Sequence, residues 1–489
     1  MKRFSTLLTL FVVLLLAGSV FASGVALTGI GARATALGGN FRGIADDWSA
    51  MFWNPAGLTQ IEGFHFGFST EAIMPVGTYS FVQNAAMPFG LFRDGEMENE
   101  AKTFIIPALG FVYGCEKMSF GLGVYAPFGL GADWDVLDTE SYNSDFPGID
   151  YEDALQVIAI QPTFAYKFSD RLSVGLGVSI TYADILIRTP QHTPNPLIFD
   201  PNYAALKDGV LAPMGLTAST YNYVLTDKEL AGDGWGFGAN FGLKFDVTED
   251  LSIGVSGVYY NDVTLDGLIN ATTYYAGIPA ATMAQLSQTL DGLIAMQQID
   301  EATKQAILGL YSGQKVVQAT DEPGDTDLPL PMTVGVGLAY KGIDNLLVSA
   351  DISWTQWSAW DVIEIKLEDG TISELVENWE DGIRMGLGAE YTLTDQITIR
   401  GGFYTEAAAP PDETFTLTIP DAGRRYGISF GGSYDFGMFT LYANYENLII
   451  GERNITEWVY DADSQSFDNM AGDFGMTVNN IMAGLNFNF

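Results

Sequence analysis

The C-terminal stretch TVNNIMAGLNFNF alternates without a break: Ile481, Ala483, Leu485, Phe487 and Phe489 fall on one face of a strand, Asn480, Met482, Gly484, Asn486 and Asn488 on the other. One such strand fits a soluble sandwich, whose apolar face meets a core, or a membrane barrel, whose apolar face meets lipid. Recurrence decides between them, because the pattern returns about fourteen times in segments of roughly ten or more residues. In LSVGLGVSITY it sets Leu172, Val174, Leu176, Val178, Ile180 and Tyr182 against Ser173, Gly175, Gly177, Ser179 and Thr181. In DGIRMGLGAEYTL it sets Ile383, Met385, Leu387, Ala389, Tyr391 and Leu393 against Arg384, Gly386, Gly388, Glu390 and Thr392. The second face is small or polar throughout, as a lumen requires. The expected fold is all-β, a transmembrane antiparallel barrel of about 14 strands, closed because lipid satisfies no open sheet edge.

The connections alternate too. Short turns fall near CEKM, FSDR, VTED, KGIDN, LTDQ and DFGM, and long loops lie between them, the longest at about 189–232 and 265–328. Short turns on one side and long loops on the other place the turns in the periplasm and the loops outside the cell. Tyr259, Tyr260, Trp354, Trp357, Trp360, Tyr442 and Tyr445 lie near strand ends, where they suit an interfacial girdle or packing under loops.

Composition changes the picture in three ways. The start MKRFSTLLTLFVVLLLAGSVFAS pairs two cations with a short apolar run and small residues, a cleavable export signal over 1–22. A first transmembrane helix is the competing reading. The net charge of −38 excludes phosphate-backbone recognition, so no nucleic acid is expected; the acid-rich loops are either a solvated surface or a holder of divalent cations. The single Cys115 excludes an intramolecular disulfide framework.

Residues 24–60 break the alternation. They precede the first strand, FHFGFSTEAIM, and are rich in Gly, Ala and turn residues. Asn54-Pro55-Ala56-Gly57 predicts a tight turn, with Gly57 free to take a positive φ. A barrel of roughly fourteen strands leaves a lumen to be filled, and this segment is the candidate filler; an ordinary loop before a strand is the alternative. The stretch GIGARATALGGNFRGIADDWSAMFWNPAGL resembles the N-terminal hatch of the FadL/TodX family of outer-membrane transporters for long-chain fatty acids and other hydrophobic compounds. Its Gly31, Arg33 and Ala34, then Asp46 and Asp47, then Asn54, Pro55, Ala56 and Gly57 match the family's pattern. VYAPFGL, LPLPMTVGVGLAYK, ISWTQWSAWD and PDAGRRYGISFGGSYDF are similar to family segments in the family's order. The expected organisation is a signal at 1–22, a hatch at 23–62 and a barrel at 63–489.

The resemblance implies passive uptake of a fatty acid or aromatic hydrocarbon by a monomer in outer-membrane lipid, with no nucleic acid, no cofactor and no metal, and directs attention to three places. Capture at a loop groove points to Met283, Leu286, Leu290, Leu293 and Ile294, one helical stripe in ATMAQLSQTLDGLIAMQQIDEATKQAILGL, with a second short helix after Asp300; the stripes could equally pack on each other. Luminal cations point to Arg384 and Arg400 as holders of a carboxylate; such cations also pair with luminal acids, since Lys244, Lys341, Arg425, Asp351, Glu390 and Glu446 are assigned inward as well. Lateral exit through the barrel wall points to Ala126, Pro127, Phe128 and Gly129, where proline interrupts a strand; a strand end beside an outer loop reads the same way. A small-solute porin with a constricting front segment and a structural or adhesive barrel are the alternatives. Catalysis finds little support in two histidines, His65 and His192, with no nucleophile elbow and no metal-spaced Cys/His set.

Overall fold

The computed structural model describes residues 22–27, 29–81, 91–419, 422–461 and 466–489. The expected export signal lies outside the described residues except for its last residue. Fourteen strands close into one antiparallel barrel: β1 Gly63–Phe81, β2 Phe104–Cys115, β3 Met118–Trp134, β4 Tyr151–Ser169, β5 Leu172–Pro194, β6 Tyr223–Asp246, β7 Leu251–Tyr260, β8 Thr333–Ile343, β9 Leu346–Thr355, β10 Gly382–Thr392, β11 Ile397–Ala408, β12 Arg425–Asp435, β13 Phe439–Ile455 and β14 Gly472–Asn488. Each pairs with its chain neighbours, β7 with β8 across the longest insertion, and β14 closes on β1 from His65–Asn488 to Phe81–Gly472. Closure leaves no open end strand, and the ladder is interrupted only along the upper part of β2 and β3 among the described residues. The alternation predicted for β5 holds: Leu176, Val178 and Ile180 are exposed outward, while Gly175, Gly177, Ser179 and Thr181 are buried inward. All six short turns lie at the same end of the barrel, where Phe489 N also donates to Phe64 O at 3.0 Å.

The long loops differ from expectation, because much of them is strand. The β5–β6 ladder continues to the Pro194–Tyr223 pair. Within 265–328, strand Val263–Tyr274 pairs with β6 and with Lys315–Leu328, so the insertion is a hairpin standing on the barrel rim. Helices Ala280–Ala295 and Glu301–Leu310 sit at its tip. The Asp300 carboxylate caps the second, accepting from Thr303 N at 2.8 Å. Bonds from Thr303 hold that carboxyl below its ordinary value. Among the rim loops, burial pushes the Asp150 carboxyl up to about 7 against the N–H bonds it accepts from Leu137 and Val136.

The aromatic girdle also needs correcting. Tyr259 is exposed to the outside, but Tyr260, Trp357, Trp360 and Tyr442 are buried. Trp357 and Trp360 pack with Trp379 at centroid distances of 5.5 and 4.5 Å, beneath the rim and against Val25 and Phe128. The indoles lie where the β9–β10 connection folds back over the lumen, so apolar burial outcompetes an interfacial seat.

Candidate functional site

Residues 24–61 lie inside the barrel and are held there from nearly every side. Two short helices, α1 Ala32–Ala36 and α2 Ala50–Trp53, and a 3-10 turn, Pro55–Gln60, give the segment its shape. A compact, non-alternating segment suits a lumen because its apolar side chains, Leu37, Phe41, Ile44, Met51 and Leu58, pack on one another. Its backbone carbonyls then turn outward and must find donors. The barrel supplies them. Met51 O accepts from Gln161 at 2.6 Å and Asn240 at 2.5 Å, Trp53 O from Ser256 at 2.6 Å, Gly43 O from Ser252 at 2.8 Å, and Gly38 O from Arg384 at 2.9 Å.

The sequence signature sits at the centre of this seat. Arg33 pairs with Asp46 within the segment and with Glu390 of β10 at 2.7 and 3.0 Å, and Arg400 reaches the same carboxylate at 2.6 Å. Asp47 accepts from Ser49 N at 2.8 Å, and Arg42 pairs with Asp351 at 3.3 Å. Asn54 Nδ2 donates to Arg42 O at 2.9 Å and to Leu243 O on β6 at 3.2 Å, while its Oδ1 accepts from Ala56 N at 3.2 Å. One amide thus fastens the turn to the rest of the segment and to the wall.

Gly57 does not take the expected positive φ; it lies within the 3-10 turn. Its requirement is steric, because a Cβ there would collide with Ala45 O, and Ala45 itself has φ 39°. The same close approach explains the luminal glycines. A Cβ on Gly175 would strike the Pro55 backbone, one on Gly254 Arg42 O, and one on Gly402 Gly38 N. The small luminal face is shaped to the segment it encloses.

The opposite part of the wall is built differently. The β2–β3 ladder stops at the Leu109–Val124 pair, and above it residues 104–108 of β2 pair only with β1. There β3 carries an extra residue: its register with β4 steps from Tyr125–Ala159 to Phe128–Val157. Ala126 and Pro127 form this bulge, because proline has no N–H for a ladder. The strands are tied again higher up, where Glu100 N donates to Asp133 O at 2.8 Å. Between these ties the wall has a window. Residues 25–27 occupy the freed edge of β3, with Leu27 N donating to Pro127 O and Gly129 N to Val25 O, both at 3.0 Å. The Phe104 ring lies across the window against Gly131, and Leu27 lies against Gly129. Behind them is a cavity of about 450 Å³ lined by Ile73, Phe104, Phe128, Leu155, Leu448 and Met476, among others, with Glu71, Thr103, Gln156, Asp184, Arg425 and Asn480 as polar members.

Residues 13–489 match the family described as Outer membrane protein transport protein (OMPP1/FadL/TodX). The chain belongs to this family. Its place is the outer membrane. A 47 kDa outer membrane protein of Pasteurella multocida is 33% identical over 47% of each chain, so that alignment spans about half of either protein. The long-chain fatty acid transport protein of Escherichia coli is 23% identical over 80% of this chain and 79% of its own. The crystal structure of a Pseudomonas aeruginosa FadL homologue superposes with TM-score 0.68 over 96% of this chain and 100% of that one, at 18% identity, and shares the fold.

Against this family frame, the expected site residues separate into groups. Gly31, Arg33, Ala34, Asp46, Asp47, Asn54, Pro55, Ala56 and Gly57 come together in the lumen, and Ala126, Pro127, Phe128 and Gly129 at the window. Arg384 and Arg400 lie away from the cavity. Arg384 is stacked 3.8 Å over Tyr404 and bonded to Gly38 O, and Arg400 is paired with Glu390. Buried cations are held by the nearest acceptors, and here those belong to the enclosed segment and to Glu390. Lys341 is exposed at the short-turn end and is not luminal. The stripe from Met283 to Ile294 is largely spent on packing: Leu286 and Leu290 are buried against Leu197, Leu211, Ile307 and Tyr311, Met283 and Leu293 pack on the edge of that cluster, and Ile294 is half-buried. Leu27, Phe104 and Glu71 were not anticipated. Phe104 reads in sequence as one more apolar strand residue, and only the missing ladder gives it a special position.

Proposed function

We propose that the protein takes up hydrophobic molecules, fatty acids or aromatic hydrocarbons, across the outer membrane by passive diffusion as a monomer, with residues 24–61 as a hatch and lateral release into lipid between β2 and β3. The observation that carries this reading is an apolar cavity lying directly behind a stretch of wall that lacks ladder bonds. A ligand leaving sideways never crosses water, and each methylene it keeps in hydrocarbon is worth about 0.8 kcal/mol. No energy source is needed. The printed name of the Escherichia coli relative, a long-chain fatty acid transport protein, supports the substrate class. The filled lumen counts against an open small-solute porin, and a structural or adhesive barrel gives no use for the cavity. A catalytic reading gains nothing from His65, exposed near a turn, or from His192, stacked beside Phe92.

Deleting Ala126 and replacing Pro127 by Val removes the extra residue of the bulge and supplies the missing N–H, so that the β3 ladder can continue through the window. Uptake of labelled fatty acid or toluene, in a host lacking its own transporter, is expected to fall at least about tenfold while the barrel stays folded and inserted. Undiminished uptake by the folded variant refutes lateral release.

A further inference from the structure

The cavity behind the window does not stop at the wall. One continuous cavity is lined by Val25, Arg425 and Leu448, inside the barrel, and also by Gln156 and Asp184. These last two face the other way. Asp184 has the parity of Val178 and Ile180, which point outward, and its neighbours Ala183 and Ile185 are buried. Gln156 pairs with Asp184 in register, and Leu155 and Val157 on either side of it are buried inward. A lining drawn from both faces of the wall means that the cavity passes through the window and continues on the outer surface.

Register shows what makes room for it there. Gly129 pairs with Gln156 and Gly131 with Ala154, so Gly129, Gln156 and Asp184 form one row on the outer surface, and Gly131, Ala154 and Leu186 form the next. Gly129, Gly131 and Ala154 carry no more than a methyl, whereas Tyr182, Trp235 and Phe237 stand outward on β5 and β6. The result is a trough. Leu27 and Phe104 lie in it, since a Cβ on Gly129 would meet Leu27 Cδ1 and one on Gly131 would strike the Phe104 ring. The polar end of the trough coincides with the edge of the hydrocarbon. Tyr182 and Trp235 pack outward at 5.1 Å, and the next outward pair along the same ladder is Asp184 with Asp233; an aromatic pair followed by an acidic pair marks the interface. An amphiphile entering the outer leaflet brings its polar end to that level, because leaving it in hydrocarbon is costly.

We propose that this trough is an exit subsite for a single-chain amphiphile. Cargo leaves the cavity polar end first, Gln156 takes that end by hydrogen bonding, and the chain lies over Gly129, Gly131 and Ala154 before it parts into the outer leaflet. The proposal rests on the lateral release proposed above and adds a site beyond the wall. The Gln156 amide both donates and accepts, so it serves an ionised or a neutral end alike. Continuity with the cavity makes cargo the occupant; a membrane lipid reaches the trough only from outside.

The test is initial uptake of labelled hexadecanoic acid and of labelled toluene by a host lacking its own transporter. Ala154→Phe fills the trough from the lipid side without reaching the lumen. It is expected to lower uptake of hexadecanoic acid about tenfold, equivalent to about 1.4 kcal/mol on the exit barrier. Val178→Phe, outward on β5 but outside the trough, is expected to leave uptake unchanged. Gln156→Leu is expected to slow hexadecanoic acid about threefold and toluene, which has no polar end, not at all. Heat-modifiable migration confirms that each variant is folded. Wild-type uptake by folded Ala154→Phe means that the trough holds membrane lipid only and overturns the proposal, as does an equal response of the two probes to Gln156→Leu. Lateral release itself falls only if the ladder-closing variant at Ala126 and Pro127 also takes up both probes undiminished, which tells the two failures apart.

Discussion

The hatch seat and the wall window belong to one barrel yet have opposite bonding. In the seat, outward-turned carbonyls of the hatch meet wall donors, buried ions are paired, and glycines let backbones touch. At the window, ladder bonds are missing, one strand bulges, and the gap is covered by side chains from Leu27 and Phe104. The difference teaches where motion is cheap. Displacing the hatch breaks many buried hydrogen bonds at once, whereas opening the window needs one ring to turn and a short edge pairing to part.

The largest expected break in this contrast is Arg33→Met. It leaves half-buried Asp46 without its guanidinium and cuts the tie from the hatch to Glu390, which keeps only Arg400; for pairs this far from fully buried the loss is about 2–3 kcal/mol, below that of a fully buried pair. Hatch docking should weaken accordingly, read as a steady open current in planar bilayers where the wild type is silent; a silent Arg33→Met channel removes the hatch from gating. A smaller effect comes from adjacent glycines on β11. Gly402→Ala forces its new methyl into the Gly38 backbone and should destabilise hatch docking by about 1–3 kcal/mol. Gly401→Ala, whose Cβ would meet nothing nearer than Ser429 O at 3.8 Å, should be neutral. Protease sensitivity of the hatch measures both, and equal behaviour of the pair sinks the close-approach account. Phe104→Ala, which empties the window without touching the seat, should speed uptake by roughly threefold and leave conductance unchanged, a side chain's worth of barrier being about 1 kcal/mol or less. Unchanged uptake would mean that the ring does not obstruct exit.

The smallest effect lies outside both regions. The Asp300 cap has a folded-state value below the ordinary 3.8, so its bond supports the rim helix fully above that value and is lost as the pH falls through the lowered one. Protection of the Thr303 amide, corrected for intrinsic exchange, should persist through the ordinary carboxylate value of 3.8 and drop only at lower pH in the wild type. It should be insensitive to pH in Asp300→Asn; matching profiles would rule out the carboxylate as the cap.

Much of the architecture was legible because its signals are local. Strand faces follow a period of two, so Leu176 and Gly177 declare their sides without knowledge of any partner. The hatch was legible from a breakdown of that period and from Asn54 and Pro55, although the turn there is a 3-10 turn and Gly57 serves packing. Trp357, Trp360 and the Leu286–Leu290 stripe were harder, because an aromatic or apolar residue near a rim is equally suited to lipid, ligand or its own neighbours. Arg384 and Arg400 face the lumen, but the acceptor each holds is not legible in the strand pattern: Arg384 bonds Gly38 O, 346 positions away, and Arg400 bonds Glu390 on the neighbouring strand.

The chain alone therefore determined the barrel, its inside and outside, the side on which the turns lie and the presence of a filler, since each is written in the spacing of neighbouring residues. The tertiary structure decided the window, the cavity behind it and the trough outside it. Those depend on which strand edges fail to meet and which rows come into register, and both are properties of pairs distant in sequence.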